Sequence, residues 1–380
     1  MLLLVVLFGI LVGVVCGLTP GIHTNLIAVV VAALPFDPFL VCVFLVCVAV
    51  TNSVVDAVPS VFLGASEDVM ALLPGHQLLV QGLGVDAVKF TVMGSLFGMV
   101  FAVFLIPVFV FVFPFLFSLI RPFLFWIILV LVLFLLFKDR SVWSFVVFVL
   151  AGVFGLIVFR GVKEPLFPML SGLFGGSGLL LSLKTSIPKQ ESSGSLVLSK
   201  WDFVRNTFYG VLSGSIVTLF PGLGPSQGAA LLPVKKSGVG YLVLVGAMGT
   251  VDVVISFVTW FVLNRARNGA VVILKQIIGS LSFDLFLFVL GCVLLSVGVA
   301  SVFSVFIAKV YAGLFEKINY AFLCLFVLFF LCFLVVLISG FLGLLVFVVA
   351  CFIGMLAPLS GVSRANAMGC LIVPLLFALS

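Results

Sequence analysis

Long apolar runs, separated by short polar stretches, occupy most of this chain. The pattern predicts full membrane spans near residues 39–57, 88–112, 115–137, 142–159, 239–263, 285–310, 320–338 and 341–356. A membrane-spanning helix needs about 20 predominantly apolar residues, and these runs approach or exceed that length. Short segments of alternating polarity, which are typical of membrane β-barrels, do not occur in the sequence. We therefore predict an all-α polytopic membrane protein with roughly 10–12 membrane segments.

Two interruptions with similar sequences break this apolar pattern. Leu18 to Asn25 reads LTPGIHTN, and Leu219 to Gln227 reads LFPGLGPSQ. Each follows an apolar helix with regularly spaced glycines and leads into a short apolar stretch. Hydrocarbon offers no hydrogen-bond partner, so unwound backbone at membrane depth is tolerated only where protein or a water-filled cavity satisfies it. A corresponding pair of such breaks indicates the binding site of a secondary transporter.

The chain divides into two similar halves at its most polar stretch. We predict a first transmembrane repeat at 1–183, a polar cytoplasmic linker at 184–205, and a second transmembrane repeat at 206–380. The basic excess of the linker assigns it to the cytoplasmic side. Each half also closes on Leu-Ser-Gly, at 170–172 and at 359–361, followed by a short apolar helix. We therefore expect discontinuous helices at the start and end of each half, as in transporters built from inverted repeats.

Composition and charge agree with a multi-pass protein of the cell membrane. Hydrophobic residues make up 64% of the chain and charged residues only 8%, whereas a soluble domain carries about a quarter charged residues. The net charge of +6 is spread along the loops, so the sequence predicts no nucleic-acid partner. All eight cysteines lie inside apolar runs without a CxxC pair, which is typical of small buried hydrophobes.

The candidate substrate site follows from the two breaks. In a half-helix that starts after Pro-Gly, the first N–H groups lack partners and, with the helix dipole, favour an anion. Arg364 in the last break would supply a counter-charge. The predicted substrate-binding residues are Thr19, Pro20, Gly21, His23, Thr24, Asn25, Pro221, Gly222, Gly224, Ser226, Gln227 and Arg364. The alternative is that the polar residues only cap helices, that His23 is structural, and that Arg364 extends towards the membrane surface.

Carboxylates within apolar runs suggest a site for a coupling ion. An unpaired carboxylate in hydrocarbon needs a cation, a proton or a hydrogen-bonding cluster. Asp56 and Asp252, with the nearby oxygens of Asn52 and Thr250, are the predicted coupling-ion residues; the alternative is a location near helix ends at the membrane surface. Glu67, Asp68 and His76 form a predicted gating loop, or else a plain solvated loop.

Motifs for catalysis or metal binding do not occur in the sequence. It contains no HExxH, no paired Cys/His set, no phosphate loop and no nucleophile elbow. We therefore predict no catalytic residues, no metal site and no cofactor other than a coupling Na⁺ or H⁺.

Four stretches resemble the large permease subunit of the tripartite tricarboxylate transporters, specifically its stand-alone archaeal-type branch. They are residues 20–25, residues 62–68 with 73–76, residues 219–225, and Asn264 to Ala270. The resemblance implies a many-helix permease with the two Pro-Gly loops as its central site. In the better-known branch, it also implies a binding protein and a small membrane subunit that help to carry citrate-like acids with a cation gradient.

Together these patterns predict a permease that is not an enzyme. It would move a small organic anion, a carboxylate, by alternating access coupled to Na⁺ or H⁺. One alternative is a translocase (flippase) for a lipid-linked phosphate, and another is an intramembrane enzyme that uses His23 with Asp56 or Asp252. The predicted partners are a small anionic solute, the lipid bilayer, and either a second copy of the chain or a small membrane subunit.

Overall fold

The protein is helical throughout the part described by a computed structural model. The described residues are 1–22, 24–63, 69–162, 164–183, 187–191, 196–220, 228, 232, 238–315 and 317–379, and they contain no strand. Within these ranges, six helical stretches are long and apolar enough to cross a membrane: Pro38–Phe62, Gly84–Lys138, Val142–Gly161, Val239–Leu263, Phe283–Phe315 and Tyr320–Leu359. Shorter apolar helices occur at Leu2–Leu18, Leu166–Ser182, Gly269–Ile278 and Arg364–Ala378. The all-α polytopic membrane class is therefore confirmed.

The helices of the first half begin with a short pair around the first break. They are α1 (Leu2–Leu18), α2 (Thr24–Ala32), α3 (Pro38–Val55), α4 (Ala57–Phe62), α5 (Val69–Val80), α6 (Gly84–Ile120), α7 (Leu124–Lys138), α8 (Val142–Gly161), α9 (Leu166–Leu170) and α10 (Ser177–Ser182). A 3-10 turn, Arg121–Phe123, joins α6 to α7, and a π-helical turn, Ser171–Gly176, joins α9 to α10.

The second half has a similar order of elements. Its described helices are α11 (Lys200–Val217), α12 (Val239–Leu263), α13 (Gly269–Ile278), α14 (Phe283–Phe315), α15 (Tyr320–Leu359) and α16 (Gly369–Leu379). A 3-10 helix, Arg364–Met368, precedes α16. Gly340 has a φ of 69° inside α15, a conformation that glycine adopts without a Cβ clash. It interrupts α15 at the predicted boundary between spans 320–338 and 341–356.

The boundary predicted between spans 88–112 and 115–137 was wrong. Helix α6 continues through Pro107 and Pro114 and ends at Ile120. A proline removes one backbone hydrogen bond, but membrane helices tolerate it because neighbouring groups and local adjustments satisfy the freed carbonyl.

Glycines bring α1 close to α3 in the first half and α11 close to α12 in the second. A Cβ added at Gly13 of α1 would meet the Thr51 side chain of α3 at 2.6 Å, and one at Gly214 of α11 would meet the Met248 carbonyl of α12 at 3.0 Å. Small residues allow such close approach where packing, rather than the hydrophobic effect, holds membrane helices together.

The terminal segments of the two halves are exchanged, in that each packs against a helix of the other half. Gly354 of α15 fits against the Leu173 carbonyl in the π turn of the first half, while Gly155 of α8 fits against the Cys370 carbonyl of α16. Likewise α6 packs along α12, and α14 packs along α3. These reciprocal contacts are those that a twofold repeat would produce. The repeat, its boundaries and the number of segments stay predictions.

The linker between the halves is attached to the turn between α5 and α6. Gln190 is only 8% exposed; its Nε2 donates to the Leu79 carbonyl at 2.9 Å, and its Oε1 accepts from the Gly84 N–H at 2.9 Å. Helix α11 begins at Lys200, inside the stretch predicted as linker. Residues 184–186 and 192–195 lie outside the described part.

Candidate functional site

The first break separates two helices, as its sequence predicts. Helix α1 ends at Leu18 and α2 begins at Thr24. The Thr19 hydroxyl donates to the Val15 carbonyl at 2.7 Å, and Gly21 has a φ of 89°, which favours glycine. Thr24 is buried at the start of α2.

The second break is described only at its start. Helix α11 ends at Val217, and residues 218–220 form a buried turn. Several predicted site residues lie outside the described residues: His23, Glu67, Asp68, Pro221, Gly222, Gly224, Ser226 and Gln227. Whether His23 comes near Asp56 or Asp252, as the enzyme alternative requires, is therefore untested.

A further break, between α12 and α13, was missed by the sequence analysis. We call residues 264–268 the connecting segment. It begins at Asn264, which has a φ of 52°. The Ser256 hydroxyl oxygen accepts hydrogen bonds from the backbone N–H groups of Arg267 at 3.0 Å and Asn268 at 2.9 Å. Asn268 then caps α13 by accepting from the Ala270 N–H at 3.2 Å.

The connecting segment and the first residue of α13 reach both of the other breaks. The Arg267 guanidinium donates to the Val217 carbonyl, where α11 ends. On the other side, Gly269 lies directly against the Asn25 side chain. The N-termini of α2 and α13 are thus adjacent, and Arg267 joins this pair to the second break. Sequence analysis quoted Asn264 to Ala270 only for a resemblance, although two arginines and two asparagines after a long apolar helix are a signal.

Asp252 lies beside this arrangement. Its Oδ1 accepts a hydrogen bond from the Thr218 hydroxyl at 2.9 Å, and its carboxylate attracts the Arg267 guanidinium electrostatically. Thr250 is fully buried and donates to the Gly246 carbonyl of its own helix at 3.0 Å. Two residues along a helix correspond to about 200° of rotation, so Thr250 and Asp252 point to different sides of α12.

The other predicted coupling-ion residues, Asn52 and Asp56, lie in the first half. Asn52 is half-buried on α3, and its carbonyl accepts from the Asp56 N–H at 3.0 Å. Asp56 marks the junction of α3 and α4, and its own carbonyl accepts a hydrogen bond from the Ser60 hydroxyl at 2.6 Å.

Arg364 is buried, and the half-buried His76 is within reach of its charge. Arg364 is 6% exposed, and its Nε has no hydrogen-bond partner. The ion pairs among the described residues do not include it. Burial, and then the charge of Arg364, lower the pKa of His76 below its ordinary value of 6.5. Asp139 fixes the neighbouring loop by accepting from the Ser363 N–H at 2.8 Å and the Asn366 side chain at 3.1 Å.

Comparison with known proteins identifies the family. The tripartite tricarboxylate transporter TctA family matches residues 3–369 of the chain. The chain belongs to this family. An uncharacterized protein of Methanocaldococcus jannaschii is 27% identical over 392 residues, covering 98% of this chain and 97% of that protein. No solved structure matches the chain.

Membership of the TctA family, together with the long apolar helices, shows that this chain is a multi-pass membrane protein and a membrane transporter. The family resemblance drawn from the sequence is confirmed, and the archaeal relative agrees with the stand-alone branch.

The TctA-family chain differs from the sequence prediction at the end of its first half. The predicted break at Leu170 to Gly172 is a π turn that runs without interruption from α9 into α10. At the end of the second half, by contrast, α15 ends at Leu359 and Gly361 has a φ of 69°. Gly172 and Gly176 of the π turn pack against α15, and π turns are frequent at functional sites.

Proposed function

We propose that this TctA-family protein is a secondary transporter that moves a small organic anion, a carboxylate, by alternating access. The observation that carries the proposal is the pair of contacts made here: Arg267 of the connecting segment contacts Val217 at the second break, and Gly269, the first residue of α13, contacts Asn25 after the first. Three interruptions of membrane helices therefore come together, and irregular backbone at membrane depth is tolerated where it lines a cavity or a binding site.

The charges of this region support an anionic substrate. The N-termini of α2 and α13 carry the positive ends of their helix dipoles, which favour an anion. Arg267 adds a fixed positive charge at the same place, and Arg364 is a second buried cation. We propose Thr24, Asn25, Arg267 and Arg364 as substrate contacts among the described residues.

The remaining parts of the proposal concern coupling and assembly. Asp252, with Asp56 as a second candidate, takes the coupling Na⁺ or H⁺. The protein acts in the cell membrane as a carrier without catalytic chemistry. A second copy of the chain or a small membrane subunit serves as its partner.

Uptake into proteoliposomes tests the proposal. The purified full chain is reconstituted and offered a panel of carboxylates and inorganic phosphate, with and without Na⁺ or pH gradients. We expect uptake of at least one carboxylate. A chain that is correctly inserted but transports none of these acids under any gradient contradicts the proposal.

Gly269→Ala provides the matched variant, with Gly298→Ala as its control. A Cβ at Gly269 would collide with the Asn25 side chain, whereas a Cβ at Gly298 meets nothing within 4 Å. We expect uptake to fall by about tenfold or more in Gly269→Ala, because the added methyl group displaces the Asn25 side chain. Displacing a substrate-positioning group by about 1 Å can lower a rate by about two orders of magnitude. Gly298→Ala should transport like the wild type. Equal uptake by the two variants would remove the α2–α13 junction from the site.

One observation favours the second candidate, a translocase for a lipid-linked phosphate. A groove of about 370 Å³ lies beside Thr19 and Pro20 and is lined otherwise by apolar side chains of α14 and α15. Phe326 in its wall is 63% exposed, so the groove is open at the lipid-facing surface. Helix N-termini serve a phosphate as well as a carboxylate. Binding of a polyprenyl phosphate, together with no carboxylate uptake, would favour this candidate.

A further inference from the structure

We propose that a proton bound at Asp252 releases the charge of Arg267 for the transported anion, so that anion and proton bind cooperatively. This inference rests on the proposed anion transport and names its coupling ion. It is carried by two hydrogen bonds at adjacent residues: the Thr218 hydroxyl donates to the Asp252 carboxyl group, and the Arg267 guanidinium donates to the carbonyl of Val217.

The hydrogen bonds of Thr218 suit a protonated Asp252. The single hydroxyl proton of Thr218 has two acceptors, the Gly214 carbonyl at 2.7 Å and Asp252 Oδ1 at 2.9 Å. When Asp252 is ionised, the two acceptors compete for that proton. When Asp252 is protonated, it donates to the Thr218 oxygen, and Thr218 donates to Gly214. Every group in this chain then has its partner, and a hydroxyl can both donate and accept in this way.

Arg267 is held in position independently of Asp252. Its guanidinium donates to the Val217 carbonyl, and its backbone N–H donates to the Ser256 hydroxyl at 3.0 Å. Protonation of Asp252 therefore leaves the arginine in place but removes the negative charge that attracts it. The pair changes from neutral to a net charge of +1, which favours an anion at the adjoining N-termini of α2 and α13.

Cooperative binding of the anion and the proton follows from thermodynamic linkage between their two sites. If the proton raises the affinity for the anion, the anion must raise the affinity for the proton by the same factor. The proton enters from water on one side of the membrane and leaves to water on the other, so no covalent step is needed. The transporter then carries both species together, because each stabilises the state that binds the other.

Arg267 is a charged group in electrostatic contact with Asp252. The other acidic and basic side chains on the connecting segment and on the helices packed against α12 are paired, exposed or located at other junctions. They are Asp86 with Lys89, Asp202 with Arg205, the exposed Lys200 of α11, Lys275 on the Asn264 carbonyl, Arg265 over the Phe117 ring, His76 beside Arg364, the exposed Asp284 and Lys309 of α14, and Asp56 at the α3–α4 junction.

Asp252→Asn in proteoliposomes tests the inference, with the exposed Asp284→Asn as its control. An inward proton gradient should drive wild-type accumulation of the carboxylate, with no requirement for Na⁺. Asp252→Asn cannot carry the proton, so we expect gradient-driven accumulation to fall at least tenfold. Counterflow exchange of labelled for unlabelled carboxylate needs no net proton movement, so exchange should fall by a clearly smaller factor than gradient-driven accumulation does. Asp284→Asn should match the wild type in both assays.

Anion binding in detergent gives a second readout that does not depend on transport. In the wild type, thermal stabilisation by the carboxylate should weaken as the pH rises, because Asp252 loses its proton. In Asp252→Asn this pH dependence should disappear, and in Arg267→Gln the stabilisation should be lost at every pH.

The outcomes distinguish the two proposals. A wild type that transports no carboxylate contradicts the proposed function itself. A wild type that transports, but requires Na⁺, or an Asp252→Asn protein that still accumulates substrate on a proton gradient, overturns the proton role alone.

Discussion

At the scale of residues, Arg364 is a buried charge in an arrangement that lowers the stability of the fold. It is 6% exposed, its Nε lacks a partner, and it forms no ion pair with a carboxylate of the described ranges. An uncompensated buried charge destabilises a fold, so its retention suggests a use. A substrate carboxylate would provide the missing counter-charge, and the planar guanidinium can bind it through two parallel hydrogen bonds.

Arg364→Gln should therefore separate function from stability. We expect carboxylate uptake to fall about tenfold or more, while the unfolding midpoint in detergent stays equal to that of the wild type or rises, because a buried charge without a partner is removed. Arg160→Gln is the control, since Arg160 is exposed at the end of α8. A variant that loses stability and uptake in parallel would indicate a structural role for Arg364.

At the scale of elements, small residues determine which helices touch. Gly155 on α8 is in contact with the Cys370 carbonyl of α16, whereas Gly161, on the same helix, has nothing within 4 Å of an added Cβ. Backbone atoms cannot move aside as a flexible side chain can. The α8–α16 contact therefore depends on the missing side chain at position 155.

Gly155→Ala should consequently lower the unfolding midpoint, and Gly161→Ala should not. Forcing a methyl group into a packed interface costs about 1–3 kcal/mol, and thermal unfolding in detergent measures the difference. A midpoint that stays equal or rises in Gly155→Ala, as in Gly161→Ala, would mean that the general helix preference of alanine over glycine, and not this contact, decides the result.

Elements also show what could be predicted from the sequence. Pro20 and Gly21 identify the first break because both residues act locally. Pro20 lacks a backbone N–H, and Gly21 adopts a φ of 89°, which favours glycine. The break at 264–268 contains no proline. It is held by Ser256 and by the Val217 carbonyl, which is 50 residues away in sequence. Such tertiary bonds leave no local pattern, so Arg267 was missed as a site residue.

Thr250 illustrates a different limit. It was grouped with Asp252 because the two are near in sequence, but they face different sides of α12. Asp252 was singled out as a carboxylate within an apolar run; its partner Thr218 directly follows α11, and only the packing of α11 against α12 brings the two together.

At the scale of the whole molecule, the two halves depend on each other. The π turn of the first half packs on α15, and α16 of the second half packs on α8. The described part of the linker is not needed to bring these surfaces together, because the contacts lie between helices. Two separate chains should therefore be able to associate.

Residues 1–191 and 196–380, expressed together as separate chains, should reassemble and restore carboxylate uptake. Either piece expressed alone should lack a cooperative unfolding transition, because its terminal segment has lost its packing partner. Co-purification and thermal unfolding in detergent measure both expectations. A first piece that unfolds cooperatively by itself would contradict the mutual dependence of the halves.

The exchanged segments also have a consequence for biosynthesis. When the ribosome has completed α9 and α10, the part of α15 against which they pack is still unmade. At about 5–20 residues per second, its synthesis takes on the order of ten seconds or more. During that interval the nascent chain holds an unpaired surface in the bilayer, where the insertion machinery or a membrane chaperone has time to act. The first half can therefore complete its packing only after the second half has been synthesised.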